Sequence, residues 1–275
     1  MLSESTSLIP LTQLHEESPS SPHYLRTRAI TRSLKGDFLS AIKDLTVALS
    51  LVKVHSEHQS QSSDKGKGKQ ASKGFEPSPD MESQCVFQRG GCYLTLAYRF
   101  AGRLTKTLQK QSQQPEESLQ NESDMRYLRT YARKGERDFL RFLSKVDYSA
   151  DVDREDSPVI PLSALFTQES DDDDVTEILE AESAIFKLLN GEQGQMAEAA
   201  LTYHPLLPDA LYSLLLAHTL TLTPPQISSS NDTATPEARV ALEKERGELV
   251  RWAYTVARLQ TICDGYPLFL PARSP

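Results

Sequence analysis

Residues 24–53 read YLRTRAITRSLKGDFLSAIKDLTVALSLVK. After Gly36-Asp37, apolar residues recur at Phe38, Ala41, Ile42, Leu45, Ala48, Leu49 and Val52. That i, i+3, i+4, i+7 rhythm places them on one helix face. Before the turn, Leu25 and Ala29 mark the matching face of a preceding helix. Gly36 permits a tight turn, because it lacks the Cβ that other residues bring into conflict with the backbone. Ala29, Ala41 and Ala48 are small enough for two antiparallel helices to approach closely. Leu25, Ile42, Leu45 and Leu49 fill the rest of the seam. The stretch therefore reads as a helical hairpin.

Working outward, the other periodic segments also read as helices. Residues 85–104 carry Val86, Gly90, Tyr93, Leu94, Ala97, Ala101 and Leu104 at helical spacing. Residues 124–146 carry Leu128, Ala132, Phe139, Phe142, Leu143 and Val146. Residues 175–189 follow with Val175, Ile178, Leu179, Ile185, Phe186 and Leu189, stopped by Asn190-Gly191. Residues 208–222 are apolar nearly all round, which predicts a central, buried helix between Pro208 and Pro224-Pro225. The last helix opens at Thr235-Pro236-Glu237 and closes at Asp264-Gly265, before an extended tail at 266–271. No alternating strand run stands out, so the expected fold class is all-α.

Between these helices lie segments poor in apolar residues, at 55–82, 107–123, 149–173 and 223–235, with a polar tail at 1–22. Such composition does not offset chain entropy, so all five are expected to be unstructured. The four internal segments read as flexible insertions in one domain spanning 23–275. Over the whole chain of 275 residues, hydrophobic residues are 38% and mean hydropathy is −0.45. That fraction lies below the roughly 45–50% of a typical globular domain, in keeping with partial disorder.

The hairpin resembles a tetratricopeptide repeat. That pattern has a small residue in its first helix, Gly-Asp-aromatic at the turn, and alanines spaced along its second helix. Here these are Ala29, Gly36-Asp37-Phe38, Ala41 and Ala48. A second, looser unit begins at 87–100, FQRGGCYLTLAYRF, with Gly90 and Tyr93 at the small and aromatic positions and 124–146 as its second helix. Arg28 and Arg32 depart from the pattern, standing where apolar residues are usual. The resemblance implies antiparallel hairpins forming a short superhelix or bundle, and a non-catalytic adaptor or scaffold that binds a partner peptide or helix. Relatives that grip acidic C-terminal tails use Lys and Asn in the first helix. Arg26 and Ile30 occupy those positions, so that clamp is not expected.

Catalytic signals are poor. Lys65-Gly66-Lys67-Gly68-Lys69 sits in a polar linker with no strand before it, and so does not read as a phosphate loop. No Gly-x-Ser-x-Gly elbow occurs. His55-x-x-His58, placed in the second unstructured segment, has no cysteine nearby, and reads as chance rather than a metal site. Cys85 and Cys92 would lie about 10 Å apart on one helix, too far for a disulfide. These two and Cys263 read as buried small hydrophobes, and His204 and His218 as structural histidines. No cofactor or metal is expected, and an enzyme or phosphotransfer component is the disfavoured alternative, since no catalytic constellation stands out. Three cysteines exclude a disulfide scaffold, no run of about 18 apolar residues predicts a membrane span, and the first 18 residues, lacking a basic stretch before an apolar core, do not read as a signal peptide. An intracellular protein, cytoplasmic or nuclear, is the expectation.

The most informative feature is charge. The chain is acidic, with 30 basic and 38 acidic residues and a net charge of −8, which argues against general nucleic-acid binding. Yet Arg129, Arg133, Arg137, Arg141 and Lys145 recur every four residues, a ridge opposite the apolar stripe of their helix. Residues 125–146 hold seven basic and two acidic side chains, while 151–182 hold twelve acidic and one basic. The ridge has three readings: a solvated helix face, a surface covered by the chain's own acidic block, or a binding surface for an acidic peptide or nucleic acid. Tyr127 and Tyr131 are its nearest aromatic neighbours.

Overall fold

The computed structural model describes residues 7–62, 80–110, 118–149, 159–167, 200–201, 204–222 and 236–265. These are mostly helical. In order they form α1 (Ile9–Glu17), α2 (Pro22–Leu34), α3 (Phe38–Ser62), α4 (Met81–Lys110) and α5 (Ser118–Leu143). Then come β1 (Asp147–Ser149), β2 (Val159–Pro161), α6 (Ala164–Thr167), β3 (Ala200–Leu201), α7 (Leu207–Thr221) and α8 (Pro236–Gly265). Where one domain over 23–275 is expected, the chain divides into two compact units, Met1–Asp138 and Phe139–Pro275.

In the first unit the quoted hairpin is α2 and α3. Gly36 takes φ +81°, and the Asp37 and Gly36 N–H groups close back on the Arg32 and Ser33 carbonyls at 2.9 Å each. This glycine-terminated helix end satisfies carbonyls that the helix leaves open. The next residue starts α3: Asp37 Oδ1 accepts the Ser40 N–H at 3.2 Å, as a helix N-cap does. Leu25, Ala29, Ala41, Leu45 and Ala48 are all at most 1% exposed, so the alanines lie in the seam itself.

α4 runs antiparallel to α3. Its Arg89 Nη1 donates to Thr46 Oγ1 at 3.3 Å, and its Arg99 lies 4.5 Å over the Phe38 ring. α5 in turn runs antiparallel to α4. Pairs Arg89–Asp138, Tyr93–Tyr131, Phe100–Tyr127 and Arg103–Asp124 descend along one helix as they ascend along the other. Close approach here depends on Gly135: a Cβ there would stand 3.3 Å from the Gly90 carbonyl oxygen.

Among the described residues, the second unit holds the end of α5, a small sheet, the single turn α6, and the longer helices α7 and α8. β1 is central, antiparallel to β2 (Tyr148↔Ile160) and to β3 (Tyr148↔Leu201). Trp252 of α8 stacks on His218 of α7 at 3.8 Å and meets the Phe166 ring edge-on at 5.2 Å. Phe139, Leu143, Leu162, Leu211 and Leu214 of this unit are fully buried.

Several expectations are corrected. Residues 9–17, assigned to an unstructured tail, form α1, which rests on α2. The insertions expected at 55–82 and 107–123 shrink, because α3 continues to Ser62, α4 to Lys110, and α5 starts at Ser118. The segment 149–173 contains β2 and α6, with Leu162 and Phe166 in the core. The strands escaped an all-helical reading because two- and three-residue ladders are too short to display a period of two. α7 is not buried all round: Leu207, Ala210, Leu211, Leu214 and Ala217 face inward, but Leu216 is 58% exposed. The expected helix at 175–189, the insertion at 223–235 and the tail at 266–271 lie outside the described residues.

Candidate functional site

The hairpin positions hold charge as well as apolar contacts. Arg28, at a position where apolar residues are usual in the resembling repeats, is 8% exposed and makes a fork of hydrogen bonds to Asp44, Nε to Oδ2 at 2.9 Å and Nη2 to Oδ1 at 2.8 Å. Arg32 Nη1 donates to the same carboxylate at 2.8 Å. One buried acid thus holds two arginines of the facing helix. Arg89 repeats the device between α4 and α5, forking onto Asp138 at 2.7 and 2.8 Å. The hydrogen bond to Asp138 holds the Arg89 guanidinium above its ordinary pKa, against the opposing effect of burial. These buried pairs fix which helix faces meet, since each charge left without its partner is costly.

On the surface of the α4–α5 hairpin lies an aromatic strip. Phe100 sits 5.3 Å from Tyr127 and 5.7 Å from Tyr131, and Tyr93 sits 6.2 Å from Tyr131, with interplanar angles between 24° and 29°. Cations cap it: Arg103 lies 4.1 Å over Phe100, and the Lys134 ammonium is 5.6 Å from the Tyr93 centroid and 5.9 Å from that of Tyr131. Burial is the main cause raising the Tyr93 phenol above its usual pKa.

Of the ridge residues, Arg133 and Arg137 are exposed on α5 in the first unit, and Arg129 is half-buried with a buried Nε that finds no hydrogen-bond acceptor. Arg141 and Lys145 are exposed in the second unit, and Lys145 lies just beyond the last helical residue. Arg126, Arg129, Arg133 and Arg137, with Tyr127 and Lys134, border an open depression of about 1200 Å³ along the outer face of α5. The acidic run at 171–174 lies outside the described residues.

The remaining sequence candidates take quiet positions. His55 falls on α3 rather than in an insertion, and its Nδ1 donates to the Leu51 carbonyl at 2.6 Å. His58 also falls within the helical span of α3. Among the described residues, no three His, Cys, Asp or Glu side chains gather as a metal site. Cys85, Cys92 and Cys263 are free thiols, and burial pushes both Cys85 and Cys92 up to about 11, so they stay protonated at neutral pH. A protonated thiol is a poor nucleophile and metal ligand. His204 Nδ1 accepts the Leu206 N–H at 3.1 Å, and His218 lies flat on Trp252. No described helix is long and apolar enough to cross a membrane.

Sequence reasoning missed Asp44, Asp138, Gly135, Phe100 and Arg103. Asp44 had a signal: at helical spacing it falls on the Ala41–Ala48 face, where a carboxylate needs a partner. The partner was the pair of arginines already seen as departures from the repeat pattern. No protein-family model, curated protein or solved structure matches the chain.

Proposed function

We propose that this chain is a non-catalytic adaptor, built on tetratricopeptide-like hairpins, that binds a protein partner through its helical surface. The observation that supports this is the contrast between the two sides of α5. Its inner side is closed by Ala132, Gly135 and the Arg89–Asp138 fork, whereas its outer side presents Arg133, Arg137 and Tyr127 with no ion pair among the described residues. A face that already spends cations and rings on solvent is poised to exchange water for a partner. The hairpins α2–α3 and α4–α5 supply the rigid support such a face needs.

The test is affinity capture with the intact chain followed by mass spectrometry, with an Arg133→Glu/Arg137→Glu variant alongside. A stoichiometric protein partner held by the wild type and released by the variant is the expected result. Recovery of no stoichiometric protein partner by the wild type contradicts the proposal, whereas retention of the same proteins by both places the contact on another part of the helical surface.

A further inference from the structure

Resting on the adaptor reading, we infer that the outer face of α5 from Arg126 to Arg137 is a peptide site. Its ligand is an extended segment with acidic side chains at alternate positions and apolar or aromatic ones between them.

The face has two flanks. Take fully buried Ala132 as the origin and turn 100° per residue. Arg126, Arg133 and Arg137 fall about 100–140° to one side, and Tyr131 and Tyr127 about 100–140° to the other. Exposed Thr130 and Lys134 lie along the outermost line between them. An extended peptide laid on that line points successive side chains to opposite sides. One set reaches the arginines and the alternate set reaches the rings.

The spacing agrees. Arg133 and Arg137 are separated by about 6 Å of helix rise, and alternate side chains of a strand by about 6.6 Å. Arg126, Arg133 and Arg137 have no ion-pair partner among the described residues, and Arg129 keeps a buried Nε without an acceptor. The acids on this stretch stand aside from the line. Glu136 is half-buried on the inner flank, and Glu122 marks the N-terminal limit of the row.

Two observations favour a peptide over a single-stranded nucleic acid. The ring faces are already engaged, Phe100 by Arg103 and Tyr131 by Lys134, so the strip offers packing surface more than open faces for bases. The chain as a whole carries −8, which repels a dense polyphosphate more than a short peptide with a few carboxylates.

The test uses fluorescence anisotropy with the full chain. The probes are a labelled peptide of alternating glutamate and tyrosine, its glutamine counterpart, and a labelled oligouridylate. The glutamate peptide should bind, weakening as salt rises, and the glutamine peptide should not. Arg133→Gln with Arg137→Gln should weaken binding about tenfold, since exposed charge pairs contribute a few-fold each. Arg133→Lys with Arg137→Lys should retain most of it. Both positions are exposed, and unchanged helical circular dichroism verifies that the variants fold. Equal binding of the two peptides, indifference to the glutamine variant, or tighter binding of the oligouridylate overturns the inference. A partner captured equally by wild type and the glutamine variant refutes this site while leaving the adaptor reading intact. Specific peptide binding by a chain that captures no protein does the reverse.

Discussion

Asp44→Ala removes the acid that holds Arg28 and Arg32 inside the first hairpin, and its cost can be worked from the geometry. Three charge-assisted hydrogen bonds of 2.8–2.9 Å are lost together. Arg32, whose side chain is 23% exposed, can swing toward water. Arg28, whose side chain is 10% exposed and wedged beside Leu25 and Ala29 on α2, has no such route. The cost is therefore that of a buried charge stripped of its partner, about 3–5 kcal/mol. Domains are stable by about 5–15 kcal/mol, so this is a large share of the total. Urea unfolding followed by far-ultraviolet circular dichroism should show the midpoint falling by roughly 2 M, given slopes of about 1–3 kcal/mol per M. Arg28→Ala/Asp44→Ala should cost little more than Asp44→Ala alone, because the second change removes the stranded charge. Arg28→Met/Asp44→Leu should recover most of the loss, as apolar replacements of buried pairs do. A stability within about 0.5 kcal/mol of wild type for Asp44→Ala, the range of ordinary surface changes, would refute this account of the seam.

Other perturbations probe the same construction. Gly135→Ala gains helix propensity but drives a Cβ to 3.3 Å from the Gly90 carbonyl oxygen, which is backbone and cannot yield cheaply; a net loss of about 1 kcal/mol in chemical denaturation is expected. Ala41→Leu, at a site with no exposure, should cost about 1–3 kcal/mol by overpacking, and an unchanged melting temperature would count against the tight hairpin. Burial raises Cys85 and Cys92 to about 11 in the folded chain, above the value near 9 of an unhindered thiol, so their contribution to stability is full below pH 9 and is lost as pH climbs toward 11. Unfolding titrations should show that decline, and Cys85→Ala/Cys92→Ala should flatten it. Excising residues 64–78, between the end of α3 and the start of α4, should leave helical content and cooperative unfolding unchanged; loss of folding would show that those residues supply core.

Among the described residues, the helices were legible where an apolar stripe ran for several turns, because burial on one face enforces the 3.6-residue period. The turn was legible as well: Gly36 followed by Asp37 carries both the end of one helix and the cap of the next. Helix ends were harder. Propagation into polar residues such as those at 55–62 continues the backbone ladder without any apolar signature, so composition marked the boundaries too early. β1, β2 and β3 are set by pairings distant in sequence, such as Tyr148 with Leu201, and no local pattern announces them. The proposed face of α5 was half legible. The four-residue recurrence of Arg129, Arg133 and Arg137 showed the cations, but the strip joining Tyr127 and Tyr131 to Phe100 and Tyr93 exists only through the pairing of α4 with α5. The ion pairs were hidden for the same reason, since Arg89 and Asp138 are 49 residues apart.

The central claim is that the α4–α5 hairpin presents a surface for a protein partner. Hydrogen–deuterium exchange on the captured complex tests it most directly, compared with the free chain. The account predicts added protection over 126–137 of α5 and the facing turns of α4 around Phe100 and Arg103. Protection confined to other elements, with α5 exchanging as fast as in the free chain, would contradict it.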